Sequence, residues 1–139
     1  MLSKIAHIGV AVHSIEESLP FYRDALQMTC SGCEEVASQK VKVAFLEIGG
    51  SRIELLEPTS PESPVAKFLE KNGPGMHHVA YEVADLAGAL AQLKAAGTRL
   101  IDETPREGAH GSRIAFIHPK SSGGVLTELC QYPGGGKHS

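Results

Sequence analysis

The sequence predicts an α+β fold: two tandem βαβββ modules forming a curved sheet around a metal-containing cavity. Three observations predict it. The first strand-like stretch, Ile5-Ala-His-Ile-Gly-Val-Ala-Val12, is nearly echoed by Met76-His-His-Val-Ala-Tyr-Glu-Val83. A second echo, Ile53-Glu-Leu-Leu-Glu-Pro58 against Thr127-Glu-Leu-Cys-Gln-Tyr-Pro133, closes each half. Between these landmarks the order of alternating and helical patterns repeats, which marks a duplicated structural unit. The expected division is residues 1–60 for the first module, 61–74 for a connector helix, 75–133 for the second module and 134–139 for a disordered tail.

Each element has a local reason. Residues 4–12 alternate and are rich in Ile and Val. Ile8, Val10 and Val12 share a bulky apolar face suited to packing on a helix, while Gly9 and Ala11 leave space on the face that carries His7. Ser14 is placed to cap a helix, with Glu16 and Glu17 in its first turn, and Ile15, Leu19, Tyr22 and Leu26 carry helical spacing to about Gln27. Pro20 inside that pattern either kinks the helix or makes it start late. Strands are expected over Met28–Val36, Val41–Ile48 and Ser51–Pro58, with Gly49-Gly50 as the tight turn between the last two. A Pro- and Ser-rich connector leads to a short helix, Val65–Lys71, stopped by Asn72-Gly73-Pro74. The second half follows suit. Met76–Val83 reads as a strand, and Asp85 caps a helix that runs to about Ala96 and stops at Gly97. Thr98–Glu103 is expected as a strand, Thr104–Gly111 as a loop, and Ser112–His118 and Val125–Tyr132 as strands.

Composition excludes several classes of function. A net charge of −3, no Trp and only 5% aromatic residues argue against nucleic acid as a partner. No apolar run approaches the roughly 20 residues that span a bilayer. Without a signal-peptide pattern, and with an odd count of cysteines (Cys30, Cys33 and Cys130), the expectation is free thiols in a reducing, cytoplasmic setting. Cys30-Ser-Gly-Cys33 has redox-motif spacing, but it falls on an expected strand rather than at a helix start, and idle thiols are the simpler reading.

The chemistry gathers on four residues. His7 and His78 stand 71 residues apart; Glu54 and Glu128 stand 74 apart, the difference falling in the Lys120–Gly124 turn. A lone His at a strand start is ordinarily a surface or core residue, and a lone Glu near a strand end is ordinarily solvated. A Glu flanked by apolar neighbours is costly to bury unpaired, however, and finding it twice in register with a repeated His asks for a cation. Imidazoles and carboxylates are good ligands for divalent first-row metals, and four of them leave positions for substrate oxygens. His77 points opposite to His78 along the strand, so the alignment with His7 selects His78. His110, in a Gly-containing loop, is a weaker candidate for substrate contact, and His118 stands where it can shape the mouth of the site.

These residues resemble the vicinal oxygen chelate superfamily and, within it, the methylmalonyl-CoA epimerase group. The motifs that carry the resemblance are Ile5-Ala-His-Ile-Gly-Val10, Glu54-Leu-Leu-Glu-Pro-Thr59, Ser63-Pro-Val-Ala-Lys-Phe-Leu-Glu-Lys-Asn-Gly73, Gly75-Met-His-His-Val79 and His118-Pro-Lys-Ser-Ser-Gly-Gly-Val-Leu-Thr-Glu-Leu129. The resemblance implies an isomerase of propionate metabolism that interconverts (2R)- and (2S)-methylmalonyl-CoA by metal-assisted 1,1-proton transfer through an enolate. It implies a metal on His7, Glu54, His78 and Glu128, with Co²⁺ favoured over Zn²⁺, Ni²⁺, Mn²⁺ or Mg²⁺, and a homodimer. Glu128 is then a ligand and an acid/base candidate. Some relatives carry a second acid/base Glu where this chain has Val43; Glu47 lies on the same strand face as Val43, and the identity of the second group stays open. Lys120, Ser121 and Ser122 are candidates for the phosphates of the acyl-CoA. The competing readings on the same scaffold are a glyoxalase-type lyase or isomerase, an extradiol-type Fe(II) dioxygenase and a non-catalytic small-molecule-binding protein.

Overall fold

The computed structural model describes residues 1–134; the tail expected at 134–139 lies, beyond its first residue, outside the described residues. The chain divides into two compact units, one of His7–His77 and one of Met1–Ala6 with the residues from His78 onward.

Strand β1 (Leu2–Ala11) enters the His7–His77 unit at His7 and leads into helix α1 (Ile15–Leu19), and strands β2 (Thr29–Val36), β3 (Val41–Ile48) and β4 (Ser51–Pro58) follow. They hydrogen-bond in the order β2-β3-β4-β1, antiparallel except for the parallel β4–β1 pair. The apolar face expected of β1 is used as anticipated: Val10 and Val12 pack with Ile15, Leu19 and Tyr22 of the helical segment and with Ala44, Leu46 and Leu55 of the sheet. Ser14 caps α1, its hydroxyl accepting from the Glu17 amide at 3.1 Å. Pro20 resolves the ambiguity in the helix. From Pro20 to Ala25 the chain winds as a π-helix, with the Leu26 amide reaching back to the Phe21 carbonyl at 2.9 Å. A residue with no N–H cannot continue the ordinary ladder, and a wider turn absorbs the defect. Helix α2 (Pro64–Asn72) follows, capped by the buried Ser63 hydroxyl, which accepts from the Val65 amide.

In the other unit, strand β5 (Gly75–Val83) precedes helix α3 (Leu86–Ala95) and strands β6 (Arg106–Glu107), β7 (Arg113–Ile117) and β8 (Thr127–Gln131). The order is β5-β8-β7-β6, again with a single parallel pair, β5–β8. Asp85 caps α3 through the Gly88 amide at 3.0 Å, and Leu86, Ala89 and Leu90 of the helix pack on Val83, Ala115, Ile117 and Leu129.

Two strand assignments need correction. Thr98–Glu103 is not a strand; only Leu100 forms a single bridge, to Ile117. The Asp102 carboxylate accepts from the Phe116 amide at 2.9 Å, while the amides of Ile101 and Asp102 both turn to the Phe116 carbonyl. A side chain has taken the ladder's place, as short acidic residues do. The edge strand falls instead inside the expected loop, at Arg106–Glu107 just after Pro105. The last strand starts at Thr127 rather than Val125, because the Ser122 and Thr127 hydroxyls both donate to the Val125 carbonyl and hold it in the turn. No helix among the described residues is long and apolar enough to cross a membrane.

Candidate metal centre

The register of the parallel pairs sets up the site in each half. In the first, Gly9 of β1 lies opposite Glu54 of β4. In the second, Ala80 of β5 lies opposite Glu128 of β8. Each small residue stands two positions after a histidine, so it shares that histidine's strand face and leaves room for the imidazole and carboxylate to approach. The approach is close in both. His7 Nδ1 is 3.2 Å from Glu54 Oε2, and His78 Nε2 is 3.0 Å from Glu128 Oε1. All four residues are buried, at 4% exposure each.

An antiparallel neighbour places a phenylalanine on the other side of each glutamate: Phe45 opposite Glu54, and Phe116 opposite Glu128. Phe116 meets the His78 ring edge to face, with centroids 5.5 Å apart. An arginine lies over each phenylalanine, Arg52 over Phe45 and Arg106 over Phe116. None of these four residues was singled out from sequence. For the phenylalanines the signal was available: they are 71 residues apart, the spacing of the histidines, within Ala44-Phe45-Leu46 and Ala115-Phe116-Ile117. The arginines come from unrelated positions and carry no such signal.

Each unit thus offers one buried imidazole and one buried carboxylate, His7 with Glu54 and His78 with Glu128. Glu54 Oε2 is also held by Arg52, through Nε at 3.1 Å and Nη2 at 3.0 Å. Imidazole and carboxylate donors fit a divalent first-row ion, and such groups are expensive to bury without a cation.

A sequence model of the glyoxalase/bleomycin resistance protein/dioxygenase superfamily matches residues 6–116. The chain belongs to this superfamily. Among its superfamily relatives, the mitochondrial methylmalonyl-CoA epimerase of Mus musculus is 40% identical over 131 residues, covering 94% of this chain and 74% of the mouse protein. The ethylmalonyl-CoA/methylmalonyl-CoA epimerase of Cereibacter sphaeroides is 38% identical, covering 94% of this chain and 99% of its own. A solved methylmalonyl-CoA epimerase in complex with methylmalonyl-CoA and NH₄⁺ superposes with a TM-score of 0.93 at 40% identity, covering 97% of this chain and 98% of that one. The fold is therefore the α+β fold of the superfamily.

The remaining candidates are dispersed. His77, half-buried, makes a T-shaped ring contact with Phe68 of α2. Glu47 is exposed and accepts from the Ser31 hydroxyl at 2.8 Å, while Val43, two positions before Phe45, is buried. The Ser121 hydroxyl accepts from the Arg99 amide, and the Ser122 hydroxyl is spent inside its own turn, so both hold loop geometry. Lys120 is exposed. His118 Nδ1 accepts from the Lys120 amide at 3.1 Å. Burial first, then the nearby charges of Arg99 and Lys120, hold the His118 imidazole below its ordinary pKa. His110 is exposed, in a left-handed backbone conformation at φ 58°. Cys30 and Cys33 lie on β2, whose register shifts between Cys30 and Gly32; neither they nor Cys130 is in a disulfide, and Cys33 is exposed.

Proposed function

We infer that this chain is a methylmalonyl-CoA epimerase, an isomerase that removes the C2 proton of the acyl thioester and returns one to the opposite face. The observation that carries this reading is a buried His–Glu pair in each half of a chain 38–40% identical to such epimerases over 94% of its length. A divalent ion held by His7, Glu54, His78 and Glu128, Co²⁺ being favoured, would supply Lewis acidity toward the negative charge that develops on the thioester oxygen.

The chain's own residues have separable tasks. His78 fixes the orientation of the Glu128 carboxylate through Oε1. Glu128 is the carboxylate placed to take the C2 proton, a general-base role that needs an ionised oxygen beside the substrate carbon. Phe45 and Phe116 are the cross-strand neighbours of the two glutamates, and apolar surface beside a carboxylate limits the water that competes for charge there. Glu47 is the carboxylate candidate for the opposing proton donor on the strand face of Val43. Lys120 is the candidate for an acyl-CoA phosphate. The same reading extends to a cytoplasmic homodimer serving propionate metabolism.

The decisive experiment is deuterium incorporation from D₂O at C2 of methylmalonyl-CoA, with and without a chelator. Metal-dependent exchange is expected. No exchange in the metal-loaded protein would overturn the reading and leave the glyoxalase-type lyase or the binding protein in its place.

A further inference from the structure

Cys30-Ser-Gly-Cys33 has the spacing of a dithiol motif, yet on a regular strand residues three apart point to opposite faces and cannot meet. Strand β2 is not regular there. Cys30 lies opposite Leu46 of β3 and Cys33 opposite Ala44, so three steps on β2 are matched by two on β3, with the register shift between Cys30 and Gly32. That is a β-bulge, and Gly32 permits it: its φ of 141° is a conformation that residues with side chains rarely adopt. Directly opposite residues of an antiparallel pair share a sheet face, and Leu46 and Ala44 are two positions apart on one strand. The bulge therefore turns both cysteines to the same face. Two strand steps span about 6.6 Å, at the long end of the roughly 4.4–6.8 Å between the Cα atoms of a disulfide. The Cys30 thiol is turned toward the bulged segment, with Sγ 3.9 Å from the Gly32 carbonyl oxygen. Access is uneven. Cys33 is exposed, while Cys30 is half-buried and packs against the cluster of Ala44, Leu46 and Leu55.

We propose that Cys30 and Cys33 form a reactive dithiol, a modification site that exchanges with low-molecular-weight disulfides and closes an intrachain disulfide across the bulge. The exposed Cys33 reacts first. Its thiolate attacks one sulfur of the small disulfide, the S–S bond breaks, and one thiolate leaves. The Cys30 sulfur then attacks the Cys33 sulfur of the mixed disulfide, and the second thiolate leaves. Two electrons pass from the cysteine pair to the small disulfide, and the two protons lost by the cysteines are taken up by the two leaving thiolates. Ser31 lies inside the ring so formed, and its hydroxyl donates to Glu47 Oε2 at 2.8 Å, so closure fixes the segment that holds this carboxylate.

The test is thiol mapping by mass spectrometry. The reduced full chain is incubated with oxidised glutathione in the absence of oxygen, the remaining thiols are alkylated under denaturing conditions, and the peptides are identified. In the wild type the expected product is a Cys30–Cys33 disulfide within one chain, with the mass of the protein lowered by two hydrogens, the buried Cys130 still alkylated, and both thiols restored by dithiothreitol. Cys30→Ser is expected to accumulate a stable glutathione adduct at Cys33, because nothing resolves it. Cys33→Ser is expected to react roughly ten-fold more slowly than wild type, because the remaining thiol of the pair is half-buried. A wild type that stops at a glutathione adduct on Cys33, that links two chains instead of closing a ring, or that does not react at all overturns the proposal. So does a Cys33→Ser variant that reacts as fast as the wild type. None of these outcomes depends on the metal centre or on the reaction assigned to it.

Discussion

Glu128→Gln isolates the chemistry at the site. Glu128 is 4% exposed, lies between Ala80 and Phe116 in the sheet, and presents Oε1 to His78 Nε2 at 3.0 Å. Glutamine keeps the volume and an acceptor oxygen, so the packing around it survives. What it loses is the negative charge and the capacity to take a proton. A positioned general base contributes about 10²–10⁴ in rate, or about 2.7–5.4 kcal/mol of barrier. The expected result is a loss of C2 exchange within that range, measured by mass spectrometry in D₂O at saturating metal, with a thermal midpoint close to that of the wild type. Running the assay across a metal titration separates the two roles of the residue. If raising the metal concentration restores full exchange, Glu128 is a ligand only and the general-base assignment is wrong. Exchange within threefold of wild type at every metal concentration would refute both roles.

Other consequences follow from burial and charge. Leu55→Ala, at a position of zero exposure between the α1 face and the sheet, should cost roughly 2–5 kcal/mol, read from the urea midpoint at unchanged slope; a loss under about 1 kcal/mol would show that this core closes around the cavity. Saturating metal at about 100 times its dissociation constant should add about 2.7 kcal/mol to wild-type stability, and His78→Ala should remove that increment; a variant stabilised as much as wild type would place the ion elsewhere. His118 should titrate below the ordinary histidine value of about 6.5 in an NMR pH series, and Lys120→Ala should bring it part of the way back. The sign for stability follows. Below about pH 6.5 the unfolded chain takes the proton more readily than the folded one, so the His118 contribution is complete above that pH and is lost as pH falls toward the folded value. A His118 resonance titrating above 6.5 would contradict the burial and the two cations around it.

The parts of the molecule that were legible in sequence are those where local and long-range signals agree. Ser14 and Asp85 cap helices as their side-chain chemistry dictates, and Val10 and Val12 face the helix that their alternation predicts. His78 rather than His77 meets Glu128 because strand alternation allows only one of two adjacent residues to point one way. The failures have a common cause: side chains that compete with the backbone. Asp102 accepts the Phe116 amide and dissolves a strand that its neighbours' hydrophobicity would support. Ser122 and Thr127 pin the Val125 carbonyl and delay β8. Pro20 enforces a π-turn whose geometry no periodicity encodes. Arg52 was invisible for another reason. A charged residue on a strand reads as solvated, and its burial depends on a ring contributed by β3 and a carboxylate two residues along its own strand.

A duplicated frame constrains where functional difference can reside. Each half places a small residue and a phenylalanine on opposite sides of a glutamate, and each brings a histidine within about a hydrogen bond's length of it. With these features in common, the two glutamates would be chemically interchangeable. Arg52 is where the halves differ: its Nε and Nη2 reach Glu54 Oε2 at 3.1 and 3.0 Å, while the position two before Glu128 is Leu126. A guanidinium shared with one carboxylate sets its charge environment apart. The two glutamates therefore differ in their surroundings although the backbone that carries them repeats.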